Sequence, residues 1–207
     1  MRSQALLCLA IALAACGRSP SPGFYVLSSR DGAAAPGQPL QVELRRPSIP
    51  SYLDRPNIVR RITPERLELE ADERWGGNLE EMLGATLAAD LAQRLPSGLV
   101  YTEASSIASA PDVRVELALS RFELNEAGNV TLVAEVATRW TGLAGPPVVA
   151  RYELRARPNG SGTAEVVAAL SDLVGRLSDA MAETLRAGPP APPSRLPTGG
   201  VSMGLAR

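Results

Sequence analysis

VRVELALSRFELNEAGNVTLVAEVATRW, residues Val113 to Trp140, reads as two strands and the turn that joins them. Side chains along a strand alternate with a period of two, and Val113, Val115, Leu117 and Leu119 share one face of the first run. The phase then slips, because the next apolar positions are Phe122 and Leu124, and a slip of this kind predicts a bulge near Ser120. Glu126-Ala127-Gly128-Asn129 supplies turn residues, and Val130, Leu132, Ala134, Val136, Thr138 and Trp140 alternate along the return strand. After Gly145-Pro146-Pro147 a third antiparallel strand runs through Val149 to Arg157. The three form a meander with one polar face, and the other face needs a cover.

Two helices supply that cover. Asn78 followed three residues later by Glu81 resembles a capping box, and Leu79, Met82, Leu83, Thr86, Leu87, Leu91 and Leu95 then recur at helical spacing up to Pro96. Glu80, Glu81, Asp90, Gln93 and Arg94 are placed mostly on the opposite, solvated side. From about Thr163 to Arg186 a second helix carries the stripe Val166, Val167, Leu170, Leu173, Val174, Leu177, Met181 and Leu185. Earlier in the chain, Phe24 to Ser28, Leu40 to Arg45, Ile58 to Ile62, Leu67 to Ala71 and Leu99 to Glu103 read as strands. The expected class is α+β: an antiparallel sheet with two long amphipathic helices packed on one face. The domain spans 24–187, and the Pro- and Gly-rich tail 188–207 is expected to be disordered.

Composition removes much of the usual enzyme chemistry. The 207 residues include no His, and every cation is Arg, since the chain has no Lys. A Ser-His-Asp triad, an imidazole metal site, a Schiff-base Lys and a P-loop Lys are therefore excluded. No cofactor and no metal are expected. The formal net charge of −1 argues against a nucleic-acid groove and against a polybasic membrane patch.

The N-terminus points to secretion and anchoring. Arg2 gives a short positive region, Ala5 to Leu13 is apolar but too short to span a bilayer, and small residues lead into Cys16, so 1–15 reads as a signal peptide. Leu13-Ala14-Ala15-Cys16 resembles the lipobox of bacterial lipoproteins, in which the Cys is acylated and becomes the new N-terminus; an ordinary signal peptide with a coincidental Cys is the other reading. Cys8 would leave with the signal and Cys16 would be acylated, which leaves the mature domain without a free thiol or a disulfide. Acyl chains contribute roughly 0.8 kcal/mol per buried methylene, enough together to hold the protein on a membrane without a transmembrane helix. Gly17 and Arg18 follow Cys16 where an Asp would favour retention in the inner membrane, so the outer membrane, on its periplasmic face, is the expected location. The rest of 16–23 is a Ser/Pro/Gly-rich tether.

Ile49-Pro50-Ser51-Tyr52-Leu53-Asp54-Arg55-Pro56-Asn57-Ile58-Val59, the strand Phe24-Tyr25-Val26-Leu27, and Arg74-Trp75 ahead of the Leu-rich helix occur in the order found in the PqiC family, which the chain resembles across nearly its whole mature length. These are the ABC-type transport auxiliary lipoproteins. One departure is Gly76-Gly77-Asn78, where relatives more often have Ala-Glu-Pro; it alters the helix entry. The resemblance implies a non-enzymatic, lipid-anchored subunit that works with a periplasmic MCE-domain protein and an inner-membrane transporter component in moving lipids between the membranes and supporting envelope integrity. It also implies a homo-oligomer. A structural envelope lipoprotein or assembly chaperone without an MCE partner is the alternative.

Within that frame the candidate interaction residues are Pro50, Tyr52, Leu53, Asp54, Arg55 and Trp75. Two prolines fix the backbone on either side of Tyr52 and Leu53 and present them in a defined direction, which suits docking. The same pair can instead fold back as core at the sheet edge. Trp75 is a core anchor at the helix entry or an interface aromatic. Asp54-Arg55 is a local ion pair in the turn or faces a partner. The acid pairs Asp72-Glu73 and Glu80-Glu81 lack anything that would orient a substrate and read as solvated surface.

Overall fold

In the computed structural model, which describes residues 21–107 and 109–189, the chain runs β1 (Gly23–Tyr25), β2 (Gln41–Leu44), β3 (Asn57–Thr63), β4 (Arg66–Trp75), α1 (Leu79–Arg94), β5 (Leu99–Thr102), β6 (Val113–Leu124), β7 (Val130–Trp140), β8 (Val148–Ala156) and α2 (Thr163–Ala187). Cys16 and all but the first two residues of the tail 188–207 lie outside the described residues. β6, β7 and β8 form the expected antiparallel meander, with Val113 opposite Trp140 and Val136 opposite Ala150. The register shifts between Leu119 and Arg121, so the bulge lies where the hydrophobic phase slips. In the turn, the Asn125 side chain accepts from the amides of Ala127 and Asn129, both at 3.0 Å, and Gly128 takes the left-handed φ of 75°.

Beyond the meander the eight-stranded sheet is mixed. The second side of β6 is shared: β2 pairs parallel with its N-terminal half, and β3 meets its far end at Arg60 opposite Leu124. β5 lies parallel outside β2, β4 antiparallel outside β3, and β1 parallel outside β4. The α+β class holds. The parallel pairs join strands separated by long connections, three of the four containing α1, and alternation within a strand records which face is buried but not which way the neighbour runs.

Both helices cover the apolar side of the sheet and pack against each other, α1 against β5 and α2 across β6, β7 and β8. Asn78 caps α1 by accepting from the Glu81 amide at 3.1 Å. Leu83, Leu87 and Leu91 from α1 meet Val166, Leu170, Leu173, Val174 and Leu177 from α2 in one continuous core with Val113, Val115, Leu132 and Val136. Among the described residues no helix is long and apolar enough to cross a membrane.

Two residues expected on the solvated side of α1 are buried. Asp90 accepts from Ser29 Oγ at 2.5 Å and from the Arg30 amide at 2.7 Å, while Arg94 donates to Asp179 at 2.6 Å and to the carbonyls of Arg30, Asp90 and Gly175. These bonds clip the segment from Ser28 to Gly32 over the seam between the helices. A Cβ at Gly175 would stand 2.8 Å from Arg30 Cβ, so glycine lets the strap lie flat on α2.

Candidate interaction surface

The turn from Pro50 to Pro56 closes through the Leu53 amide, which donates to the Pro50 carbonyl at 2.9 Å. Its far end is tied to the sheet, where the Trp75 amide donates to the Pro56 carbonyl at 2.7 Å. This geometry drives Leu53 inward until only 2% of it is exposed. Tyr52 lies half-buried over the bulged part of β6. Its hydroxyl has one proton and two acceptors within reach, Glu123 at 2.9 Å and the Ser120 carbonyl at 3.1 Å.

Glu123 is the centre of this site. It is fully buried, on the face of β6 opposite Phe122, beneath the turn. Arg61 Nε and Arg121 Nε each donate to one carboxylate oxygen at 2.9 Å, and Tyr52 and the Phe122 amide donate to the other at 2.9 Å. Arg61 also donates to the Pro64 carbonyl at 2.8 Å, and its guanidinium stands 5.8 Å from the centre of the Tyr52 ring. Burial pushes the Glu123 carboxyl up, but the bonds from Arg61, Arg121, the Phe122 amide and Tyr52 outweigh it and hold the group below the ordinary value. Burial and the neighbouring Glu123 charge hold the Tyr52 phenol well above its ordinary value. The ionised Glu123 carboxylate is buried and engaged by four donors, and this fixes the turn on the sheet.

The structure therefore separates the candidate residues. Leu53 and Trp75 are core, and Trp75 stacks on Phe122 with ring centres 6.5 Å apart. Pro50 and Tyr52 are half-buried, and only Asp54 and Arg55 present exposed side chains. Glu123, Arg61 and Arg121 hold the turn, and sequence reasoning passed over all three. Arg121 and Glu123, two apart on one strand face, were the available signal, but the third partner is 62 residues away from Glu123.

The family model described as the ABC-type transport auxiliary lipoprotein component matches residues 25–182. A crystal structure titled as an uncharacterized protein is similar at a TM-score of 0.68 and 17% identity, covering 80% of this chain and 99% of its own. The crystal structure of protein XCC0632 from Xanthomonas campestris is similar at a TM-score of 0.66 and 17% identity, covering 79% of this chain and 94% of its own. At this identity the likeness speaks to the fold alone. No curated protein matches the sequence.

Proposed function

The chain belongs to the ABC-type transport auxiliary lipoprotein family, and from that premise we propose that it is the membrane-anchored periplasmic subunit of an MCE-type intermembrane lipid transport system, docking the assembly at the outer membrane. The family match over 25–182 carries the reading. The lipobox-like Leu13-Ala14-Ala15-Cys16 supports the anchor, and Gly17-Arg18 after it supports outer-membrane sorting. In this role the protein binds and positions without catalysing a reaction. The exposed Asp54 and Arg55, held on a turn that is locked to the sheet, are the proposed partner contact. Because the backbone of that turn is already held, binding there costs little loop-ordering entropy. Self-association into a ring would repeat that contact around the assembly.

The test is affinity purification of the lipidated protein from its own membranes, with mass spectrometry of what accompanies it, alongside metabolic labelling with palmitate. Recovery of an MCE-domain protein and an inner-membrane transporter component supports the proposal. A labelled protein recovered without either would instead favour a structural envelope lipoprotein. Wild type that takes up no label would remove the anchor at Cys16.

A further inference from the structure

Phe24 on β1 and Val26 just beyond it are 66% and 58% exposed. Single exposed apolar side chains are ordinary, but these two are separated by one residue and lie on one face of the chain. Exposed Gly76 and Gly77 follow β4 beside them, and neither adds a side chain to the surface. Gly76 donates its amide to the Tyr25 carbonyl at 2.7 Å, and a Cβ there would come within 2.9 Å of Val26 Cγ1. The half-buried Met82 continues the patch past Gly77. Gly76 and Gly77 thus leave a smooth apolar ledge beside Phe24 and Val26. Arg74, opposite Phe24 in register and exposed, borders it with a cation.

Chain length keeps this ledge close to the anchor. Eight residue steps separate Cys16 from Phe24, and at most about 3.3–3.6 Å per step keeps Phe24 within roughly 29 Å of an acylated Cys16 even when the tether is fully extended. The exposed Val149 lies on β8, five strands away along the sheet from β1, roughly 24 Å at the usual strand spacing. Of these two exposed apolar sites, the one on β1 is where the anchor leads. We propose that Phe24 and Val26 rest on the bilayer surface, with Arg74 toward lipid phosphates, so that the acyl chains hold the protein while this ledge sets its orientation. An aromatic ring suits the boundary between headgroups and acyl chains.

The proposal rests on lipidation at Cys16, and the test separates the two. The mature domain has no other Cys, so Phe24→Cys, Val26→Cys and Val149→Cys each place one nitroxide label on the full-length, palmitate-labelled protein in phosphatidylethanolamine and phosphatidylglycerol vesicles. Labels at 24 and 26 are expected to lose most of their accessibility to a water-soluble nickel complex and to gain accessibility to oxygen, while the label at 149 stays accessible to nickel. Palmitate uptake with all three positions equally open to nickel overturns the ledge and leaves the anchor standing. Absence of palmitate uptake overturns both. Protection at 24 and 26 that arises only when other envelope proteins are added assigns the ledge to a protein partner and overturns the lipid contact.

Discussion

Glu123 shows how much one buried charge can hold. Its carboxylate gathers Tyr52 from the turn, Arg61 from β3 and Arg121 and the Phe122 amide from β6. Glu123→Ala leaves two guanidinium groups without their shared partner and is expected to cost about 3–5 kcal/mol, read by urea denaturation. Because the folded carboxyl lies below its ordinary value of 4.5, its contribution is present above that value and is lost as pH falls through the folded value. Glu123→Gln, which cannot titrate, should therefore be less stable than wild type at neutral pH, with the gap narrowing below pH 4.5. Parallel stability curves from neutral to acid pH would count against a folded carboxyl held below the ordinary value. In the same turn, Leu53→Ala should lose about 2–5 kcal/mol by opening a cavity, whereas Tyr52→Phe, which removes one hydroxyl bond, should lose about 0.5–1.5 kcal/mol. If Leu53→Ala unfolds at the wild-type midpoint, Leu53 contributes nothing to the core. Alternation along β6 marked Glu123 as polar-facing and went no further, since the cover on that face comes from a turn far away in sequence.

At the scale of elements, most of what was legible came from local rules. The Asn78 cap, the bulge near Ser120 and the Gly128 turn are each specified within a few residues, and each lies where the sequence placed it. β4 runs on past the expected Leu67 to Ala71 as far as Trp75, through the charged run Asp72-Glu73-Arg74 that carries no apolar signal, and its register with β3 jumps between the pairs Asn57–Arg74 and Val59–Leu69. The parallel strands and the strap over the helices were not legible, because both depend on contacts between distant segments. The strap makes its own prediction. Asp90→Ala removes the acceptor for Ser29 and the Arg30 amide, so the segment should detach locally at a cost of about 1–3 kcal/mol. Trypsin cleavage after Arg30, followed by mass spectrometry, should be faster in the variant than in wild type. Equal cleavage rates would mean that Arg94 and Asp172 hold the strap without Asp90.

Across the whole molecule, burial is uneven, and the unevenness orders how the parts open. β7 is paired on both sides and buries Val130, Thr131, Leu132, Val133 and Ala134 in succession, with α2 across it. In the β3–β4 hairpin, by contrast, Ile62 is 39% and Leu69 is 43% exposed, Ala71 and Asp72 are exposed, and the pairing is interrupted by the register jump. Amide exchange from a segment measures the free energy of the smallest opening that exposes it, and poorly covered edges open without the core. Hydrogen exchange followed by mass spectrometry is therefore expected to show β7 and the middle of α2 as the slowest peptides. Peptides spanning Thr63 to Glu73 should exchange faster by at least on the order of tenfold, about 1.4 kcal/mol in opening free energy. Cys16→Ala should leave this order unchanged, because the buried core among the described residues is drawn from Leu27 to Leu185, well beyond the anchor in the chain. It should also release the protein from the membrane fraction, since an exposed ledge of two apolar side chains binds a bilayer only weakly beside acyl chains. Uniform exchange across the hairpin and β7 would mean that the sheet opens as one unit, and the argument from burial to local stability would fail for this fold.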